Sequence, residues 1–194
     1  EKEYTTKIAE LFKKWGLAPA IGHDFIQTFE FNSGVEKGEK NSASLSGRAN
    51  LKLKLDEDYQ VVSFSKSGKF QSAPLVFAGF GIQAPAHNDF AGFDSYKDLD
   101  VKGKWVVALP NGPTPENRNL KMHSELVLFS GLQHKITVAK KMGASGLVII
   151  DENIAPMKFE GAQAESTLPV LKISSKVFNA LLDQANLDQF KDYK

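Results

Sequence analysis

The fold is decided by residues 103–153, which read GKWVVALPNGPTPENRNLKMHSELVLFSGLQHKITVAKKMGASGLVIIDEN. The apolar run Lys104–Leu109 is too short for a helix and is bounded by Gly103 and Pro110, so it predicts a buried strand. The run Gly146–Ile150 predicts a second buried strand of the same kind.

A helix is predicted between these strands, because apolar residues recur there at helical spacing. They are Leu132, Ile136, Ala139 and Met142, and Gly143 ends the pattern. The lysines of this segment, Lys135, Lys140 and Lys141, are assigned to solvent. A strand, a helix and a strand in this order predict a β-α-β unit with parallel strands and a right-handed crossover.

The composition predicts one sizeable folded domain with a packed core. Of the 194 residues 42% are hydrophobic, and 24 basic against 23 acidic side chains give a net charge of +1. The two signs are interleaved without a basic block, so neither nucleic acid nor a membrane surface is an expected partner. The lack of cysteine excludes disulfides, thiolate metal sites and a cysteine nucleophile. No apolar run approaches the roughly 18 residues that a transmembrane helix needs.

The first residues predict an amphipathic helix with a large aromatic face, which Gly16 ends. The face consists of Tyr4, Ile8, Leu11, Phe12 and Trp15. Phe25–Phe31 then alternates apolar and polar residues and predicts a short strand. The segment 32–50 is rich in Asn, Ser and Gly, which predicts a solvated loop at a domain edge.

Further strands are predicted from the remaining apolar and alternating runs. Leu51–Leu55 and Val61–Phe64 are expected to be successive antiparallel strands, and Leu75–Ala78 is expected to be covered on both faces. Leu168–Ile173 is a further strand, whose proline predicts an edge or strand-start position. A serine at 174 or 175 is expected to cap the helix that follows.

Blocks of this sequence, in this order, resemble the protease-associated (PA) domain. They are Ala73–Ile82, Asp98–Val107, Lys135–Ala139 with Gly143–Asp151, and Thr167–Val170. The resemblance implies an α+β (mixed α/β) fold, a mixed β-sheet or open barrel of about seven or more strands with flanking helices and one β-α-β unit.

Residues 1–31, here called the lead-in, resemble a narrower group, the co-catalytic zinc aminopeptidases of bacteria. This group includes relatives of the transferrin receptor and glutamate carboxypeptidase. Gly16–Pro19 and Phe25–Phe29 resemble the segments that precede the PA domain in that group. The resemblance implies three parts. Residues 1–31 are a helix and strand that dock on a catalytic domain, residues 32–185 are the PA domain, and residues 186–194 are a tail or linker.

The resemblance implies a non-catalytic role for this chain. It would cover the active-site cleft of a catalytic peptidase domain in cis and restrict the access of peptide substrates. That domain would bind two zinc ions, whereas this chain is expected to hold no cofactor, and the enzyme would be periplasmic or secreted. The alternative is a self-sufficient peptide- or protein-binding module without catalysis.

Two surfaces are candidates for contacts. The face of the first helix is the predicted docking surface for the catalytic domain. The loop that follows the strand at 75–78 is the predicted contact surface for a substrate or partner, because aromatic residues in an irregular loop can anchor a peptide. Its candidate residues are His87, Asp89, Phe90, Phe93 and Tyr96. The alternative is that these aromatic residues close the end of the sheet.

Catalytic motifs are not expected in this chain. His87-Asn88-Asp89 has the His-x-Asp form of a zinc-ligand pair, but there is no Glu-Glu pair and no histidine after His134. Gly143–Gly146 lacks the spacing of a nucleophile elbow and predicts a helix end followed by a turn. Asp151, at the end of a strand, is interpreted as a solvated carboxylate.

Overall fold

The computed structural model describes residues 2–30, 37–47, 50–88, 90–113, 120–156 and 165–185. The described helices are α1 (Lys2–Lys14), α2 (Leu120–Leu128), α3 (Leu132–Lys141) and α4 (Ser175–Ala185). The described strands are β1 (Ala43–Leu45), β2 (Leu51–Leu53), β3 (Tyr59–Val61), β4 (Leu75–Phe77), β5 (Gln83–Ala84), β6 (Phe93–Asp94), β7 (Trp105–Ala108), β8 (Gly146–Asp151) and β9 (Val170–Ser174). The chain divides into two compact units, Glu1–Ser33 and Gly34–Lys194. None of the helices described is long and apolar enough to span a membrane.

A five-stranded mixed sheet is the centre of the second unit, with the strand order β3-β9-β8-β7-β4. Strands β4, β7, β8 and β9 are parallel to one another, and β3 runs antiparallel to β9. The strands predicted at 104–109 and 146–150 are β7 and β8, which are parallel neighbours with α3 between them in the chain. The predicted α+β fold with a β-α-β unit is therefore confirmed.

Both faces of this sheet are buried, because successive residues of a strand point to opposite sides. On one face Val106 of β7 belongs to an apolar cluster with Ile136 of α3. On the other face Val107 belongs to a cluster with Val177 of α4. Burying each such side chain stabilises the fold by about 1.5–3 kcal/mol. Strands covered on both sides explain why the runs in β7 and β8 are unbroken rather than alternating.

The two glycines predicted to end helices both do so. Gly16 follows α1 with a φ of 72°, and Gly143 follows α3 with a φ of 82°. In each case the next amide bonds back to the last turn, from Leu17 to the Phe12 carbonyl at 3.1 Å and from Ala144 to the Ala139 carbonyl at 3.0 Å. This pattern is the Schellman motif, which needs a left-handed residue at the glycine position.

One predicted strand and one predicted strand pairing are wrong. Residues 25–30 form no strand, and the described part of the first unit contains no other strand with which they could pair. Strands β2 and β3 are not neighbours, because β2 pairs with β1 and β3 pairs with β9. Strand β1 itself lies within the segment 32–50, for which a loop was predicted.

The edges of the sheet also differ from the prediction. Strand β4 is an edge strand, and its Leu75 is exposed rather than covered. Strand β9 lies inside the sheet, and Pro169 directly precedes it, so the strand-start position is confirmed and the edge position is wrong. Ser174 caps α4 as predicted, since its hydroxyl accepts the Val177 N–H at 3.3 Å.

Candidate functional site

The predicted contact loop folds as a hairpin rather than as an irregular loop. Strands β5 and β6 are antiparallel, with Gln83 opposite Asp94. Near the tip, His87 and Phe90 exchange backbone hydrogen bonds of 3.0 and 2.8 Å. Asp89, which belongs to the predicted contact set, lies outside the described residues.

Two of the aromatic residues in this hairpin region are buried. Phe90 is 8% exposed and Tyr96 is 2% exposed. Phe93 is half-buried, and its ring centroid lies 6.3 Å from that of Phe80. The burial of Phe90 and Tyr96 agrees with the alternative that these residues close the end of the sheet. A contact role stays a prediction, which His87 and Phe93 are the better placed to fulfil.

His87 links the hairpin tip to helix α2. Its Nε2 lies 3.1 Å from Oε2 of Glu125, and its Nδ1 lies 3.3 Å from the Pro85 carbonyl oxygen. The ring centroid is 5.5 Å from that of Phe90. Both ring nitrogens of His87 therefore face oxygen atoms of the hairpin and of α2.

These side chains do not form a metal centre. Within the described ranges, no group of three or more His, Cys, Asp or Glu residues could hold a metal ion. A catalytic zinc site needs three protein ligands, and both nitrogens of His87 already face oxygen acceptors. The described residues therefore do not fit the zinc ions that the aminopeptidase resemblance implies for a catalytic domain.

Lys135, which the sequence assigned to solvent, is fully buried. Its ammonium group donates hydrogen bonds to the carbonyl oxygens of Leu109 at 3.0 Å and Asn111 at 2.8 Å, and to that of Phe80. Burial lowers the pKa of Lys135 to about 8. The ammonium form still predominates at neutral pH, so a buried positive charge is held by three carbonyl groups.

The position of Lys135 in α3 contains the signal that would have found it. The residue follows Leu132 by three positions and precedes Ala139 by four, so it lies on the apolar face of the helix. Lys140 and Lys141 lie off that face and are exposed as predicted. The assignment to solvent was wrong because it followed the charge of the side chain rather than its position.

The turn that receives this ammonium is tightly packed. Gly81 has a φ of 64°, and a Cβ atom there would lie 2.8 Å from the Cβ of Ala108 and 3.6 Å from the hydroxyl of Tyr96. Glycine is therefore required at this position both by conformation and by space. Burial, and also the charge of Asp94, raise the pKa of Tyr96, so its hydroxyl is neutral.

The residues that form this arrangement match a known protein family. A family model described as the PA domain matches residues 71–181, which is more than half of the chain. The chain belongs to the PA domain family. The matched residues include the parallel strands, the hairpin and Lys135 of this PA domain.

An aminopeptidase from Aneurinibacillus sp. strain AM-1 is similar among the solved structures. The similarity has 16% sequence identity and a TM-score of 0.45, and it covers 77% of this chain. This chain spans 30% of that aminopeptidase's length. No curated protein matches this chain.

Helix α1 precedes the residues that match the PA domain, and most of its apolar face is exposed. Tyr4 is 72% and Trp15 is 65% exposed, and Ile8 and Leu11 are exposed as well. Phe12 is half-buried, with its ring centroid 6.2 Å from that of Trp15 and 5.7 Å from that of Phe25. Docking of this face on a catalytic domain stays a prediction.

Asp151 of this PA domain is not the solvated carboxylate that the sequence suggested. Its Oδ2 lies 3.0 Å from Nζ of Lys172, and its Oδ1 accepts the Asn153 N–H at 3.0 Å. Burial raises the pKa of Asp151, but these hydrogen bonds and the charge of Lys172 outweigh burial and lower it. Since β8 and β9 are parallel neighbours, Lys172 projects from the adjacent strand, a partner that proximity in sequence could not reveal.

Proposed function

We propose that this PA domain is the non-catalytic part of an exported, zinc-dependent aminopeptidase, where it covers the active-site cleft in cis and restricts which peptides enter. Two observations support the proposal. Residues 71–181 match the PA domain family, and the sequence of the lead-in resembles that of co-catalytic zinc aminopeptidases. The catalytic domain would supply the zinc ions and the hydrolytic chemistry.

The observation that carries the proposal is the exposed apolar face of α1. Tyr4, Ile8, Leu11 and Trp15 form a contiguous stripe along one side of the helix and are all exposed. Contiguous apolar surface of this kind marks an interaction site in soluble proteins. A partner domain linked in cis would cover it at a high effective concentration.

The topology of the sheet supports a role without catalysis. In open sheets with parallel strands, ligands bind outside the carboxyl ends of the strands where the strand order reverses. Here the parallel strands β4, β7, β8 and β9 follow one another in space in the same order as in the chain. The strand order of these four strands therefore does not reverse, so they form no crevice of that kind. In addition, the Lys135 ammonium group joins the segments that follow β4 and β7.

The coding sequence on the carboxyl side of Lys194 tests the proposal most directly. We expect a His-x-Asp segment followed by a Glu-Glu pair, the ligands and general base of the aminopeptidase group that the lead-in resembles. In the full gene product, deletion of residues 71–181 should increase cleavage of long peptides relative to dipeptides. An unchanged ratio would contradict a covering role, and fractionation of cells would test export.

A second candidate function is a peptide-binding module that acts at the hairpin. It is favoured by the accessibility of two hairpin residues, because the side chain of His87 is 41% exposed and Phe93 is only half-buried. Titration of the chain with peptides, followed by the backbone resonances of the hairpin, separates the two functions. Saturable shifts at His87 and Phe93 would support the module, whereas a covering domain alone predicts none.

A further inference from the structure

Two consecutive side chains in the first turns of α3 bind the segment that leads from β4 into the hairpin. Nε2 of His134 donates to the Gln83 carbonyl oxygen at 2.9 Å, and Lys135 donates to the Phe80 carbonyl oxygen. Lys135 also bonds to Leu109 and Asn111, which follow β7. Because β4 and β7 are parallel neighbours, these acceptors lie at the same edge of the sheet.

The burial of this ammonium group opposes stability unless its acceptors stay in place. Transfer of a charge from water to the protein interior is costly. The position near the amino end of α3 adds repulsion from the helix dipole, and the first turn of this helix has no acidic residue. Three charge-assisted hydrogen bonds compensate, and an ammonium group has three donors for them. Any movement of one acceptor would leave a buried charge partly unsatisfied.

We propose that Lys135 is the positioning residue of the hairpin: its ammonium group joins the carboxyl ends of β4 and β7 and fixes the turn from which the hairpin leaves the sheet. The carbonyl groups of Phe80, Leu109 and Asn111 form a cation site, and the chain fills it with its own primary ammonium. This role does not depend on the proposed function. It predicts a local effect on the turn and on residues 109–111, distinct from a general loss of core packing.

Hydrogen exchange in Lys135→Met tests the local effect, with Lys140→Met on the same helix as the control. The informative amides are those of Gly81 and Leu109, which bond to the carbonyls of Ala78 and Gly79 at 2.8 Å each. Their exchange should become faster by roughly tenfold or more in Lys135→Met, because a charged hydrogen-bond network is lost. The Ser174 amide, bonded to the Asp58 carbonyl at 2.9 Å, should keep its rate. Unchanged rates at Gly81 and Leu109, or equal acceleration at all three amides, would overturn the proposal.

Chemical rescue tests the cation site itself. Lys135→Ala removes three methylene groups and the ammonium group, which propylammonium replaces atom for atom. We expect propylammonium to restore slow exchange at Gly81 and Leu109, and tetramethylammonium, which has the charge but no N–H donors, to have no effect. Equal rescue by both ions, or by neither, would contradict a site defined by three N–H donors.

The wild-type chain provides a test that holds even if neither variant folds. Nitrogen-15 spectra selective for ammonium groups at pH 6 should show a slowly exchanging signal from Lys135, because its three protons are buried and hydrogen-bonded. Exposed lysines such as Lys140 exchange too fast to be seen. Absence of any persistent ammonium signal would overturn the proposal.

Discussion

Helix α3 buries its apolar face against the parallel sheet, whereas helix α1 leaves most of its apolar face exposed. Both helices are amphipathic, and both end in a Schellman motif with a left-handed glycine. Ile136 of α3 is 4% exposed, while Ile8 of α1 is 49% exposed. An apolar stripe therefore specifies a helix and the face that is to be buried, but not the part of the molecule that covers that face.

The two helices also differ in where their lysines lie. In α1 the lysines stay in solvent, and Lys7 forms an exposed ion pair with Glu3 at 3.0 Å. In α3 one lysine, Lys135, lies on the buried face among apolar neighbours. An exposed ion pair contributes little to stability, whereas a buried ammonium group requires a specific set of acceptors. The same residue type thus has a solvent role in one helix and a positioning role in the other.

The largest expected difference in stability is between alanine substitutions of two isoleucines, Ile136 of α3 and Ile8 of α1. Ile136→Ala should lower the free energy of unfolding of the second unit by about 2–5 kcal/mol, because it leaves a cavity between α3 and the sheet. Ile8→Ala should change stability by about 0.5 kcal/mol or less, because Ile8 is at the surface and about half of it is already exposed to water. The chain has two tryptophans, Trp15 in the first unit and Trp105 in the second. Urea unfolding followed by each, with the other replaced by Phe, measures both effects.

Ile8→Ala also tests whether the apolar face of α1 is exposed in solution. A loss at Ile8 as large as at Ile136 would mean that this chain covers the α1 face in solution. In that case the exposed stripe would no longer support docking of a separate catalytic domain.

The second effect concerns the buried charge of Lys135 and has a defined pH window. The folded pKa is about 8, below the value of about 10.4 for an unfolded lysine, so between these values the unfolded chain binds more protons. Stability conferred through this group therefore rises with pH across that window, by up to about 3 kcal/mol. The measurement is the free energy of unfolding of wild type minus that of Lys135→Met between pH 7 and 10.5.

The surroundings of Lys135 make this window interpretable. Residues 79–81 and 109–111, which hold its acceptors, contain no titratable side chain. His134 is the adjacent ionisable group on α3, and Tyr96 lies beneath the turn with its pKa raised. His134→Gln serves as the control and should leave the rise above pH 8 in place. If the free energy of unfolding of wild type minus that of Lys135→Met did not change between pH 7 and 10.5, a buried ammonium group at Lys135 would be contradicted.

Gly146 tests how closely the sheet of the second unit is packed. A Cβ atom at this position would lie 2.4 Å from Cε3 of Trp105, so Gly146→Ala must displace the indole ring. We expect a loss of about 1–3 kcal/mol in stability and a shift in Trp105 fluorescence. Gly38→Ala is the control, since its nearest atom would be Nδ2 of Asn41 at 3.9 Å. In a Trp105→Leu background, Gly146→Ala should cause a smaller loss of stability. If the loss stayed the same, contact with the Trp105 ring would not be its cause.

The central part of the fold could be predicted because its signals are local. Strands β7 and β8 are short apolar runs, the first bounded by Gly103 and Pro110, and α3 between them has a helical period and a glycine at its end. Short strands such as β1 have only three residues, so their existence depends on partners that their own sequence does not reveal. The order of the strands likewise depends on partners distant in sequence, so Pro169 was compatible with either an edge or a strand-start position until the neighbours of β9 were known.

The candidate site was less predictable because its contacts join distant segments. The acceptors of Lys135 lie 55, 26 and 24 residues away in the chain. The Glu125 partner of His87 belongs to α2, a helix for which no signal was recognised in the sequence. Prediction from residue type alone therefore assigned the buried Lys135 to solvent and did not identify Glu125 as the partner of His87. The helical position of Lys135 was the one local clue to its burial.

The smallest effect is expected at the ion pair between Asp151 and Lys172. Their side chains are 25% and 32% exposed, so solvent screens the attraction and the coupling should be about 0.2–1 kcal/mol. A double-mutant cycle with Asp151→Asn and Lys172→Met measures this coupling at pH 7. The folded pKa of Asp151 is lowered, so the contribution is present above the unfolded pKa and is lost as pH falls through the folded value.

The same cycle at low pH decides what kind of contact this is. If the attraction is between charges, the coupling should vanish once Asp151 is protonated and should weaken in 1 M salt. A coupling that survives both conditions would show that the hydrogen bond from Nζ of Lys172 to the side-chain oxygen of Asp151, rather than the attraction between opposite charges, joins the ends of β8 and β9. In that case Asp151 would resemble the buried polar contacts of α3 more than the exposed ion pair of α1.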